Sequence, residues 1–63
     1  MDETLEYLHA KLEDERTAVI ESLADGNYKT FEEYKYATGF LRGLLLAQAT
    51  ITDLAKRMEN SDE

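Results

Sequence analysis

DGNYKTFEE, residues 25–33, separates two long stretches that favour helix. Gly26 and Asn27 both tolerate the left-handed backbone conformation that closes a helix C-terminus, so the first helix is expected to end there. Thr30 and Glu33 have the capping-box spacing, in which each side chain accepts a hydrogen bond from the backbone amide of the other residue. This pattern predicts that a second helix begins at Thr30. A connection this short makes the two helices antiparallel.

The first helix is predicted over about residues 3–24, with Asp2 or Thr4 capping its start. Its apolar side chains recur at helical spacing and form one face: Leu5, Leu8, Leu12, Val19, Ile20 and Leu23. Glu15 and Arg16 interrupt this face, whereas a continuous coiled-coil seam would have an apolar residue at that point. The first helix is therefore expected to bury a single, interrupted stripe.

The second helix is predicted over about residues 30–60, after a turn at residues 25–29 and before a frayed acidic tail at residues 61–63. Two adjacent apolar files run along this helix. The first file consists of Tyr34, Ala37, Leu41, Leu44, Gln48, Ile51, Ala55 and Met58. The second file lies beside it and consists of Phe40, Ala47 and Leu54. Two files on one helix predict contact with more than one neighbour.

Gln48 lies in the first file, where the sequence leaves two interpretations open. A buried amide at a seam position fixes the register or the oligomeric state of packed helices. If the position lies at the boundary of the file instead, the same side chain simply meets water.

The second helix is longer than the first, so part of it is expected to lack a partner inside the chain. If Ala24 lies near Thr30, residues that face each other have numbers that sum to about 54. The first helix then ends opposite residue 52 or so, and Leu54 and Met58 extend beyond it. We therefore expect another chain to cover this end.

Gly39, Gly43 and Ala47 recur at four-residue intervals in the second helix and form a bare groove along one face. A glycine within a helix costs roughly 1 kcal/mol relative to alanine, which suggests that another backbone lies close to this groove. The predicted oligomer interface combines the groove with the large apolar side chains beside it: Gly39, Phe40, Gly43, Leu44, Ala47, Ile51, Leu54 and Met58.

The composition is typical of one small domain that gains stability by association. A chain of 63 residues rarely gains more than ~3–5 kcal/mol from its own core. It contains no cysteine for disulfides and a single histidine, so no metal site and no cofactor are predicted. The predicted fold is an all-α antiparallel two-helix hairpin, completed by oligomerisation as a four-helix-bundle dimer or a higher oligomer.

The net charge of −7 is distributed unevenly along the chain. Residues 1–26 contain eight acids and two bases, whereas residues 27–63 contain six acids and five bases. Direct binding to nucleic acid or to an anionic membrane is therefore disfavoured, since both require a cationic surface. The strongly apolar stretch at residues 43–47 is also far shorter than the ~20 residues of a membrane span.

No residue pattern predicts catalysis, so the chain is interpreted as a protein other than an enzyme. Glu6 and His9 have the Glu-x-x-His spacing of carboxylate-bridged metal proteins, but the second helix has no acid between Glu33 and Asp53 that would complete such a site. The acidic run at residues 13–15 resembles paired catalytic carboxylates only superficially. Consecutive helical residues point in different directions, which is typical of a solvated charge run.

Four aromatic residues lie around the turn and are interleaved with lysines: Tyr28, Phe31, Tyr34 and Tyr36. Such a pattern can stack single-stranded bases, but the neighbouring acids and the net charge weaken that interpretation. We expect the aromatic side chains to close this end of the hairpin. Tyr28 and Tyr36 are candidates for exposed anchors that bind a partner.

The second helix and the tail carry one further pattern over residues 33–63: Tyr34-x-x-x-x-Gly39-x-x-x-Gly43-Leu44-x-x-Ala47-x-x-x-Ile51-x-x-Leu54, followed by Lys56-Arg57 and an acidic end. This pattern resembles a group of small proteins of tailed bacteriophages, whose genes often lie among head and portal genes. The resemblance implies a phage origin and a role as a virion or assembly accessory, with a location in the host bacterial cytoplasm, the virion or both. It transfers no catalytic residue.

Two function classes follow from these observations. The first is a non-enzymatic structural or assembly protein that acts by helix-mediated association, as a phage virion or head/portal accessory whose partners are itself and a head or portal protein. The second is a small acidic phage inhibitor that docks on a basic surface of a host nucleic-acid enzyme or defence protein. Such an inhibitor would use the acids of the first helix, and its binding would weaken steeply as salt rises: Glu13, Asp14 and Glu15.

Overall fold

The computed structural model describes residues 1–61 as two α-helices joined by a short connection. Helix α1 spans Glu3–Ala24 and helix α2 spans Phe31–Asn60. The helices lie side by side and antiparallel in a rod whose extents along its principal axes are 51 × 16 × 13 Å. This arrangement confirms the all-α hairpin. The acidic tail lies outside the described residues from position 62 onward.

Both helices begin at side-chain caps. The carboxylate of Asp2 accepts hydrogen bonds from the amides of Thr4 at 2.8 Å and Leu5 at 3.2 Å, so Asp2 is the cap of α1. The Thr30 hydroxyl accepts from the Glu33 amide at 3.1 Å, and the Glu33 carboxylate accepts from the Thr30 amide at 3.3 Å. These reciprocal bonds confirm the capping box at the start of α2.

Helix α1 ends in a left-handed turn at Gly26, whose φ is 70°. The Asn27 amide donates to the carbonyl of Ser22 at 3.1 Å, and the Gly26 amide donates to the carbonyl of Leu23 at 3.2 Å. This pair of bonds defines a Schellman motif, which satisfies two carbonyls that the helix would otherwise leave free. The position of the helix end therefore agrees with the expectation from the sequence.

A thin core lies between the two helices. Its buried side chains come from both helices: Leu5, Val19, Ala37, Leu44, Gln48 and Ala55. Leu12, Leu23, Tyr28 and Leu41 pack against its centre and remain partly accessible. Among residues 1–61, no large side chain is fully buried. Four members of the first file of α2 are therefore buried against α1 and a fifth, Leu41, packs beside them, so the contact forms a single layer.

The register of the two helices differs from the expectation. Gln48 faces Glu13, and the amino group of Met1 lies 3.7 Å from the Glu59 carboxylate, so facing residue numbers sum to about 60 and not to about 54. The prediction that Leu54 and Met58 extend beyond α1 is therefore wrong. The N-terminal end of α1 extends alongside this part of α2. A shared pocket shows this, because it is lined by Met1, Asp2 and Leu5 from one side and by Ala55, Met58 and Glu59 from the other.

The connection explains this shift in register. After Gly26 the chain runs on to Thr30, whose backbone is extended, before α2 begins. The first turns of α2 consequently lie beyond the C-terminal end of α1, where Phe31 and Tyr36 are 70% and 78% exposed. The uncovered part of α2 is thus its N-terminal end.

Candidate association surface

Helix α2 exposes a line of residues beside the face that packs on α1, and we call this line the outer stripe. Its members follow one another at intervals of three or four residues, so they lie on one side of the helix: Tyr36, Phe40, Gly43, Ala47, Ile51, Leu54 and Met58. Ala47 and Ile51 are half-buried, and the other five are exposed. The outer stripe contains the whole second file and extends it in both directions.

The structure divides the predicted oligomer interface between two surfaces. Leu44 is buried in the core with Val19 and Ala37, so it stabilises the hairpin itself. Gly39 is exposed, but it lies about 40° around the helix from Gly43, at the edge of the outer stripe. The remaining members lie on the outer stripe: Phe40, Gly43, Ala47, Ile51, Leu54 and Met58.

The two glycines of α2 face open space. A Cβ atom added at Gly39 or Gly43 would meet nothing within 4 Å in the described part of the chain. Close packing inside the hairpin therefore does not require glycine at either position. Each helical glycine costs roughly 1 kcal/mol relative to alanine, and no contact in the described part of the hairpin accounts for either of them.

Gln48 is buried at the contact between the helices, which decides between the two interpretations that the sequence left open. It is 6% exposed, and its Nε2 atom donates a 2.7 Å hydrogen bond to Oε2 of Glu13 and lies 3.5 Å from the carbonyl of His9. The same Glu13 oxygen lies 3.0 Å from Nη1 of Arg16. The hydrogen bond from Gln48 lowers the pKa of Glu13 below its ordinary value, and Arg16 acts in the same direction. Gln48 is therefore a seam residue within one chain.

The acidic run of α1 is not uniform. Glu13 is half-buried and bonded to Gln48 and Arg16, whereas Asp14 and Glu15 are exposed. Sequence reasoning missed the role of Glu13, because a bond across the hairpin depends on a register that the pattern of either helix alone does not fix. The buried amide at position 48 was the available signal, since such a group needs a hydrogen-bond partner.

The aromatic residues at the turn close the hairpin end only in part. Tyr28 packs against the core, while Phe31, Tyr34 and Tyr36 are exposed. Tyr28 and Tyr36 line an open cleft with Asn27, Glu32 and Glu33. Of the two predicted aromatic anchors, Tyr36 is the more exposed, and it lies at one end of the outer stripe.

The described residues also bear on two further classes of site, a metal centre and a membrane-spanning helix. Among residues 1–61, no three His, Cys, Asp or Glu side chains are grouped so that they could hold a metal ion, and Glu6 and His9 have no such neighbour. Within the same range, neither helix has a segment of sufficient length and apolar character to span a membrane.

No protein-family model, curated protein or solved structure matches this chain. The phage resemblance of residues 33–63 therefore stays a prediction. The physical case for a function rests on the outer stripe.

Proposed function

We propose that this chain is a non-enzymatic structural or assembly protein that works by helix-mediated association, with a second copy of the chain covering the outer stripe. The observation that carries this proposal is the exposed apolar stripe on a hairpin whose core is one layer thick. Aromatic residues and methionine are enriched in protein interfaces relative to the rest of the surface, and the stripe contains Tyr36, Phe40 and Met58.

The size and shape of the hairpin support this proposal. The chain exposes 5026 Å² of surface, whereas a compact monomer of 7.2 kDa exposes about 4100 Å². The difference of about 900 Å² is close to the ~800 Å² that each partner contributes to a standard protein interface. The radius of gyration is 14.8 Å, against about 10.6 Å for a compact domain of this length. A second copy would turn the rod into a thicker four-helix bundle.

The biological setting in the proposal comes from the resemblance of residues 33–63 to small phage proteins. On that basis the assembled protein serves as a virion or head/portal accessory, and a phage head or portal protein is its second partner. The alternative of an acidic inhibitor has less support, because Glu13 is already bonded within the hairpin and only Asp14 and Glu15 of the acidic run are freely exposed.

A matched pair of variants tests the association. Leu54 lies on the outer stripe and Leu45 lies on the opposite flank of α2, and their side chains are similarly exposed, at 46% and 43%. We expect Leu54→Glu to dissociate the oligomer into single chains, because an oligomer would have to bury the new carboxylate in its interface. Light scattering after gel filtration measures the mass. Leu45→Glu should keep the wild-type mass. If only Leu45→Glu lost the oligomer, the chain would associate through the Leu45 flank of α2, and the proposed role of the outer stripe would be wrong.

The proposed setting has its own test. Peptides of this chain should be recovered by mass spectrometry from purified phage particles or from head and portal complexes of infected cells. Recovery only with a host nucleic-acid enzyme, through contacts that Asp14→Lys and Glu15→Lys abolish, would favour the inhibitor.

A further inference from the structure

We infer that two copies of the outer stripe pair antiparallel, across a two-fold axis that passes beside Ala47. This inference rests on the proposed self-association and specifies its geometry. The stripe reads the same in both directions from Ala47: its other members lie 4, 7 and 11 residues before and after that position. An antiparallel pair related by a two-fold axis requires this symmetry, since each contact between two residues then occurs twice.

This symmetric spacing places complementary side chains of the two copies opposite each other. Eleven residues from the axis, Tyr36 meets Met58, and seven residues from it, Phe40 meets Leu54. All four of these side chains are exposed in the hairpin and free to bury one another. Methionine adapts its shape and makes favourable contacts with aromatic rings, which suits the outermost pair.

Closer to the axis, the same pairing explains the glycine of the stripe. Four residues from Ala47 in opposite directions lie Gly43 and Ile51, so the antiparallel arrangement places the smallest residue opposite a branched one. The space over Gly43 that nothing in the described part of the hairpin fills would receive the Ile51 side chain of the other copy. Ala47 lies opposite itself, and its small side chain allows the helix axes to approach.

A parallel pair would match each residue with itself. Gly43 would then face Gly43, Ile51 would face Ile51 and Tyr36 would face Tyr36, so one distance between the helices would have to suit both small and bulky pairs. Tight interfaces have the packing density of protein interiors, so pairs of complementary size are favoured over such pairs of like size. The antiparallel arrangement also opposes the dipoles of the two helices.

The charges of the two helices favour an interface made by α2. Helix α2 contains four acids and four bases, whereas α1 contains six acids and two bases. Two α2 helices can therefore lie side by side without net repulsion, and the two acidic α1 helices stay on the outside. The partner that fits the outer stripe is thus a second copy of this chain.

The absence of cysteine from the sequence permits a clean cross-linking test. A disulfide requires Cβ atoms about 3.5–4.5 Å apart, which only residues at the axis achieve with their own copy. Ala47→Cys should form covalent dimers under mild oxidation. Met58→Cys should not, because its two copies lie about 33 Å apart, at 1.5 Å per residue. A mixture of Tyr36→Cys and Met58→Cys should form the mixed dimer.

Controls separate this geometry from association as such. Ala49→Cys, exposed on another side of α2, should form no covalent dimer in the same oxidation. Spin labels attached to Met58→Cys in the two copies should lie about 33 Å apart, the distance expected from 1.5 Å per residue. If the wild-type chain is a dimer but Met58→Cys links to itself, or Ala47→Cys does not, the antiparallel geometry is wrong and the association stands. If the wild-type chain is a monomer, the antiparallel geometry and the proposed self-association are both wrong.

Discussion

Nε2 of Gln48 donates a 2.7 Å hydrogen bond to Oε2 of Glu13, across 35 positions of sequence. Among residues 1–61, it is the only hydrogen bond that joins a side chain of α1 to a side chain of α2. The amide belongs to a buried residue in an otherwise apolar file, so sliding one helix along the other would leave it without its acceptor. The bond therefore selects one register among those that the apolar faces alone would permit.

The first prediction concerns this register bond. Glu13→Ala should lower the midpoint of urea unfolding, because the Gln48 amide loses its acceptor while it stays buried. Glu13→Gln keeps an acceptor oxygen and should fall between that variant and the wild type. Asp14→Ala is the matched control, since Asp14 is exposed on the same helix. Equal midpoints for Glu13→Ala and Asp14→Ala would refute a role for the bond.

The second prediction follows from the titration of Glu13. Its pKa is lowered from 4.5, first by the hydrogen bond from Gln48 and then by Arg16, so the folded state binds the proton more weakly than the unfolded state. The stability that this carboxylate contributes is therefore complete above pH 4.5 and is lost as the pH falls through the lower folded value. Wild type should exceed Glu13→Gln in stability at pH 7, and this difference should shrink in acid. A difference that grows in acid would contradict the sign.

The third prediction concerns Gly43. Gly43→Leu should separate the copies, because the leucine would occupy the space assigned to Ile51 of the second copy. The same change removes a helical glycine, which is worth about 1 kcal/mol to the isolated hairpin. Sedimentation should therefore show a single chain that has lost no helix by circular dichroism. Retention of the wild-type oligomer, with a melting temperature that is not lowered, would show that the glycine faces no partner.

The fourth prediction concerns the end of α1. Gly26 has a φ of 70°, a conformation that costs a residue with a Cβ atom about 1–2 kcal/mol. Gly26→Ala should lower the free energy of unfolding by about that amount, and Gly26→Asn should cost less because asparagine tolerates this conformation. Thermal unfolding at one fixed concentration measures both. An unaffected Gly26→Ala variant would mean that the Schellman turn does not limit stability.

Local features of the fold could be predicted from the sequence. The capping box at Thr30 and Glu33 and the helix end at Gly26 depend on residues within one turn of each other, so a short window contains the whole interaction. The adjacency of two apolar files on α2 also follows from helical spacing alone. These features hold whatever the rest of the chain does.

Features that depend on the register could not be predicted in the same way. An error of about six in the sum of facing residue numbers is less than one turn on each helix, yet it changes which residues meet. That error left Met58 without a partner helix in the prediction and placed Gln48 opposite the wrong turn of α1. The path of the connection after Gly26 sets the register, and residues 27–30 have no periodic pattern from which that path could be predicted. Tyr34 shows a further effect, since it belongs to the first file but is exposed beyond the end of α1.

Sedimentation equilibrium of the wild-type chain, over a range of micromolar concentrations, measures the central claim most directly. We predict a folded species of at least twice the 7.2 kDa chain mass, which dissociates on dilution and buries the outer stripe. A fully helical species that stays at 7.2 kDa across that range would contradict the proposed self-association and the pairing inferred from it.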